Sequence, residues 1–194
     1  MEILLCAYDH YFHNLLCAIF KNPLFPNICV GIQLLDENNI RTLPPDERFL
    51  VCEKILKTEQ DESKRWDAVW LIGELAEKKD QNDPMFKKVS DVLEWILQND
   101  TNGVVKHEAC FQVAARNMRD KIPALVNTAL YNESILAKHE AIESLGLMRA
   151  FEAESLIQKA RDDPSIDVRE TASFVLKRFK RLRDSGNYVP SDIL

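Results

Sequence analysis

An all-α fold, an α-solenoid of stacked helical hairpins behind a non-repeat N-terminal segment, is what this 194-residue sequence predicts. Three observations predict it. Apolar residues recur on a 3.6-residue period, as in Val69, Ile72, Leu75 and Ala76, or Val89, Val92, Leu93 and Ile96. Short polar or proline-bearing breaks separate these stretches at 82–84, 99–103 and 162–165. A short pattern also returns along the chain: Arg65-Trp66-Asp67-Ala68, Lys106-His107-Glu108-Ala109, Lys138-His139-Glu140-Ala141 and Val168-Arg169-Glu170-Thr171-Ala172, with Trp66, His107, His139 and Arg169 spaced 41, 32 and 30 residues apart. Those are the periods of paired-helix repeats, in which each hairpin buries its apolar faces only against its neighbours.

The elements follow in order. Residues 1–45 differ in texture from the rest: Ile3–Phe20 reads as a helix, Pro23 and Pro26 end it, and Cys29–Leu35 is a short apolar run fit for a strand or a packed arm. At Pro44-Pro45-Asp46-Glu47 the chain changes character, because prolines and acids ahead of an apolar-periodic run start helices. Helices are then expected near 46–58, 63–78, 84–98, 104–118, 121–131, 134–149, 151–161 and 165–182, eight helices making four hairpins of HEAT type. The expected division is a non-repeat segment over 1–45, a repeat domain over 46–182 and a polar tail over 183–194.

Composition narrows the function. Acidic residues outnumber basic ones, 31 to 25, which leaves a net charge of −6 and no electrostatic footprint for nucleic acid. Such a surface attracts a basic partner or a cationic amine instead. The apolar start is interrupted by Asp9, His10, His13 and Asn14 and lacks a basic leader, so no membrane segment or signal is expected. Five cysteines, Cys6, Cys17, Cys29, Cys52 and Cys110, form an odd set without a C-x-x-C pair and read as buried thiols of a cytoplasmic protein. There is no P-loop, no G-x-S-x-G elbow and no H-E-x-x-H, since Phe111 stands where the second histidine belongs.

The two Lys-His-Glu-Ala copies carry the chemistry. Both open the second helix of their hairpins, so stacking places His107-Glu108 and His139-Glu140 side by side, and half of the four histidines sit there. Imidazole with carboxylate is the ligand set of non-haem iron, manganese or zinc. The bland alternative is a polar residue pair at a helix start, favoured by the dipole. His10 and His13, at i and i+3 beside Asp9, are a weaker ligand pair. Trp66-Asp67 and Arg169-Glu170 hold the motif position in the flanking repeats, the latter as a boundary because arginine does not ligate. Cys110 reads as packing, and the basic stretch Lys177–Arg183 reads as a solvated face that complements a helix C-terminus.

Residues Val104 to Met118, Leu136 to Met148 and Asp167 to Leu176 resemble successive repeats of the deoxyhypusine hydroxylase-like HEAT-repeat family. The resemblance covers roughly 63–182. It implies a di-iron enzyme that uses dioxygen to hydroxylate a modified lysine on a translation factor, from two such halves in one chain. Carried over, His107, His139 and Glu140 are iron ligands, and Glu108 is a ligand, a group behind the ligands or a contact for the substrate amine. This chain holds one half, and a homodimer with two irons at its interface restores the set, because an isologous contact repeats every residue. A hetero-assembly does the same. Dioxygen is then the co-substrate and an aliphatic amine or lysine-derived side chain the substrate. The competing expectation is a non-catalytic HEAT scaffold that binds a protein partner.

Overall fold

The computed structural model describes residues 36–185. The helix expected over Ile3–Phe20, the run Cys29–Leu35, the pair His10 and His13, Cys6, Cys17 and Cys29, and residues 186–194 of the tail lie outside the described residues. Within them the fold is all-α: α1 (Glu37–Arg41), α2 (Pro45–Thr58), α3 (Glu62–Gly73), α4 (Pro84–Asn99), α5 (Gly103–Ala115), α6 (Ile122–Tyr131), α7 (Ile135–Leu147), α8 (Glu154–Ile157) and α9 (Ile166–Asp184). No described helix is long and apolar enough to cross a membrane.

The chain starts these helices with the residues that cap best. Asp61, Asp83 and Asn102 accept backbone N–H groups of the first turns of α3, α4 and α5, and Ser134 does so for α7. Pro45 and Pro84 sit at first helical positions, where a missing N–H is harmless. The helices pair as α2/α3, α4/α5, α6/α7 and α8/α9. The second helices α3, α5, α7 and α9 pack in sequence into one layer, with the first helices as the other layer. The core runs along the seam and includes Leu71, Ile72, Leu93, Ile96, Leu125, Ile142, Leu145, Ile157 and Phe179, all fully buried. Each such side chain contributes about 1.5–3 kcal/mol, so the stack needs no cross-link.

Helix ends depart from expectation for local reasons. The last turn expected of α3 tightens to a 3₁₀ turn at Glu74–Ala76. There Arg48 donates to Leu71 O and Arg116 to Gly73 O, side chains capping carbonyls that a further turn would have used. Helices α5 and α7 close earlier than expected through Asn117 (φ 49°) and Arg149 (φ 52°). In each, the following N–H reaches back, Met118 to Val113 O and Ala150 to Leu145 O. The helix expected over 151–161 is a 3₁₀ turn, one α turn and a second 3₁₀ turn. Its buried stripe holds only Ala153, Ile157 and Ala160, little side chain to enforce a regular helix.

Candidate metal centre

The caps fix the register of the site. Counting from Asn102, Ser134 and Ser165, the fifth residues of α5, α7 and α9 are His107, His139 and Glu170, and the sixth are Glu108, Glu140 and Thr171. The expected placement of Arg169-Glu170 in this position is therefore corrected by one residue, because α9 follows its predecessor one position sooner. Arg169 instead matches Arg65, since each guanidinium holds the loop carbonyls just before its helix: Arg169 on Asp163 and Pro164, Arg65 on Glu59 and Gln60. Lys138, between them in register, pairs with Asp163, and Arg65 pairs with Asp100.

In this register α5 and α7 each offer their fifth residue to the sixth residue of the next second helix. His107 Nε2 lies 3.1 Å from Glu140 Oε2, with the two residues 9% and 2% exposed. Burial opposes protonation of His107, but the hydrogen bond to Glu140 and the charges of Glu140, Glu108 and Glu143 outweigh it and raise the imidazole pKa above its ordinary value. One repeat on, His139 Nδ1 lies 2.7 Å from Thr171 Oγ1. The Thr171 hydroxyl donates to Asp167 O at 2.7 Å, and a hydroxyl has one proton. Its oxygen therefore accepts from His139 Nδ1–H.

That proton count sets the tautomer. In the neutral ring the lone pair of His139 is on Nε2, which faces Glu143 Oε2 at 3.7 Å. Two acceptors then face each other across a gap that a cation fits, since donors each about 2.1 Å from one ion stand roughly 3–4 Å apart. Ligand atoms of His139, Glu140 and Glu143 all lie within 4.8 Å of one another, and Glu140 also carries His107. The donor set, imidazole and carboxylate without thiolate, suits iron, manganese or zinc.

Of the expected residues, the structure brings His139 and Glu140 together and sets His107 against Glu140 from the neighbouring helix. Glu108 is buried and accepts from Gln112 Nε2 at 2.6 Å, and Gln112 in turn packs on Gly73 of α3, so this carboxylate turns toward the preceding repeat. Glu143 and Thr171 were missed. Glu143 could have been found as the acid four residues after His139 on the same face, in register with Phe111 of the first copy. Thr171 carried no sequence signal once the register was set by Arg169. Cys110 is fully buried, and burial, with the charge of Glu140, pushes its thiol pKa well above the ordinary value, so it is not a nucleophile at neutral pH. Trp70 and Phe111 stack with centroids 6.3 Å apart beside the site.

A family model described as HEAT repeats matches residues 90–177, from α4 into α9. Among curated proteins, deoxyhypusine hydroxylase of Arabidopsis thaliana is 28% identical over 137 residues, covering 69% of this chain and 40% of that protein. The Saccharomyces cerevisiae enzyme is 27% identical over 116 residues, with 59% and 36% covered, and the Danio rerio enzyme 25% identical over 135 residues, with 68% and 40% covered. The chain thus spans about two fifths of the length of the curated relatives it matches. The structure of human deoxyhypusine hydroxylase in complex with glycerol superposes with a TM-score of 0.59 at 21% identity, over 77% of this chain and 49% of that one, a likeness of fold. With its repeats, its all-α architecture and these relatives taken together, the chain is similar to the deoxyhypusine hydroxylases over its HEAT-like repeats.

Proposed function

We propose that this protein is a dioxygen-dependent hydroxylase or oxidase of an aliphatic amine or lysine-derived side chain, with a repeat domain over 46–182 that carries half of a di-iron site. The observation that carries this reading is the cluster of His139, Glu140 and Glu143 on α7, with His107 of α5 bonded to Glu140 across the seam. His107, His139 and Glu140 hold the metal, with Glu143 beside them. Iron bound there supplies the one-electron chemistry that dioxygen requires.

The chain's own residues do the rest. Thr171 holds His139 with Nε2 outward, and His107 and Glu140 fix each other within the buried seam. Glu108, buried and oriented by Gln112, acts through its charge on His107, and a glutamate the metal does not use meets the substrate ammonium. Two copies of the chain facing each other across a two-fold axis complete the set, with two irons per dimer.

Elemental analysis after aerobic iron loading tests the reading. Near one iron per chain is expected, and His107→Ala with His139→Ala abolishes it. A chain that takes up no iron is the non-catalytic scaffold, and iron undiminished in the double variant places the metal elsewhere.

A further inference from the structure

The stretch Lys177–Arg183 does not behave as one solvated face. Phe179 is buried in the core, Lys180 pairs with Asp184 at its own helix end, and Arg183 holds Glu154. Arg178 and Arg181 have no acidic partner among the described residues, and neither does Arg149 at the end of α7. The acids on the adjoining segment are already engaged: Glu152 by Arg119 and Glu154 by Arg183.

The packing of α7 on α9 brings these arginines together. At Gly146 the two helices approach so closely that a Cβ there would stand 2.9 Å from Val175 Cγ2. Arg149 and Arg178 each lie three residues beyond that contact, one turn further along their elements, and Arg181 follows Arg178 by another turn. The Nε of Arg178 is buried and has no hydrogen-bond partner. Burial and the charges of Arg149 and Arg181 all depress the pKa of Arg178, in keeping with three like charges that have no acidic partner among the described residues. A buried donor left unmade is costly, and in a chain of net charge −6 a cationic cluster is out of keeping with its surroundings. An anion answers both.

We propose that Arg149, Arg178 and Arg181 form an oxyanion-binding site at the α7–α9 seam, for a phosphate or carboxylate group. A guanidinium presents its donors in a planar fork that matches both groups, which lysine does not. Arg178 lies seven residues after Thr171, two turns along the same helix face and about 10 Å from it. An anionic group seated there lies on the same seam as His139, within reach of a ligand that also occupies the candidate metal centre. The site does not depend on a metal.

The test uses the full, metal-free chain, so its failure is distinct from failure of the metal reading. Inorganic phosphate and succinate are titrated separately, at constant ionic strength held with chloride, while the guanidinium Nε–H and backbone amide NMR signals of Arg149, Arg178 and Arg181 are followed. Saturable shifts with one or both oxyanions are expected, weakened about tenfold or more in Arg178→Gln. Arg181→Gln, at an exposed position that leaves the core intact, weakens binding as well. Saturation by phosphate alone assigns a phosphorylated group, by succinate alone a carboxylate, and by both the shared chemistry. Shifts that chloride reproduces, or that persist unchanged in Arg178→Gln and Arg181→Gln, overturn the site.

Discussion

Thr171 shows how much one hydroxyl can decide. Its proton goes to Asp167 O, so its oxygen fixes the Nδ1–H tautomer of His139 and leaves Nε2 for a metal. Thr171→Val keeps the branched shape and removes the acceptor; Mn(II) affinity measured by titration calorimetry is expected to fall about 10- to 100-fold. Thr171→Ser restores the hydroxyl and the affinity, and the Nδ1–H signal of His139 is present in the serine variant and shifted or lost in the valine variant. Unchanged affinity in Thr171→Val removes this role. The two His-Glu pairs were legible in the sequence because they repeat as identical letters. Glu143 and Thr171 were not, because they work through departures from the repeat: Glu143 replaces the Phe111 of the previous copy, and Thr171 replaces a glutamate after the spacing shortens by one. Identity between repeats reveals shared scaffolding more readily than it reveals the residue that breaks the pattern.

Helix ends carry much of the definition of these elements, and Glu74 is the clearest instance. At the close of α3 it receives Arg41 from α1, at 2.9 Å, and Arg48 from α2, tying three elements at one carboxylate. Burial alone would raise its pKa, but the hydrogen bonds and charges of Arg41 and Arg48 win and hold it below the usual value. A carboxyl with a depressed folded pKa contributes stability that is full above its unfolded value, near about 4.3, and is lost as pH falls through the folded value. Glu74→Gln is therefore expected to cost about 1–3 kcal/mol in urea unfolding at pH 7. The gap to the parent chain narrows as pH is lowered below about 4. A gap that stays constant with pH would show that the charge does not matter. Seven of the eight expected repeat helices were legible from caps and apolar periodicity, as at Asp83-Pro84 and Asn102-Gly103, while 151–161 broke into short turns. The short α1 was not, since five residues with a single buried apolar side chain, Ile40, make no periodic signal and are held by this ion-pair cluster instead.

At the scale of the molecule, the question is what completes the half-site proposed above. Along α7, Ile135, His139, Glu143 and Leu147 recur every fourth residue, so the candidate ligands stand between two aliphatic side chains that are 50% and 48% exposed. Phe174, in register with Glu143 on α9, is 57% exposed beside them. Apolar side chains bordering a charged, ligand-bearing centre are the composition of an interface core rather than of a solvated face. In the proposed dimer, a second copy over this face would bury the border and bring a second set of imidazoles and carboxylates to the axis, where bound cations would offset the repulsion of the acids. Light scattering of the iron-loaded chain is expected to give twice 22.4 kDa, and Phe174→Glu, which sets a charge on the border without touching a ligand, returns it to 22.4 kDa. Iron content should fall in the same variant, because each metal then keeps only one chain's donors. A monomer at full iron occupancy would mean that the single half-site suffices, and the dimer would have no part in holding the metal.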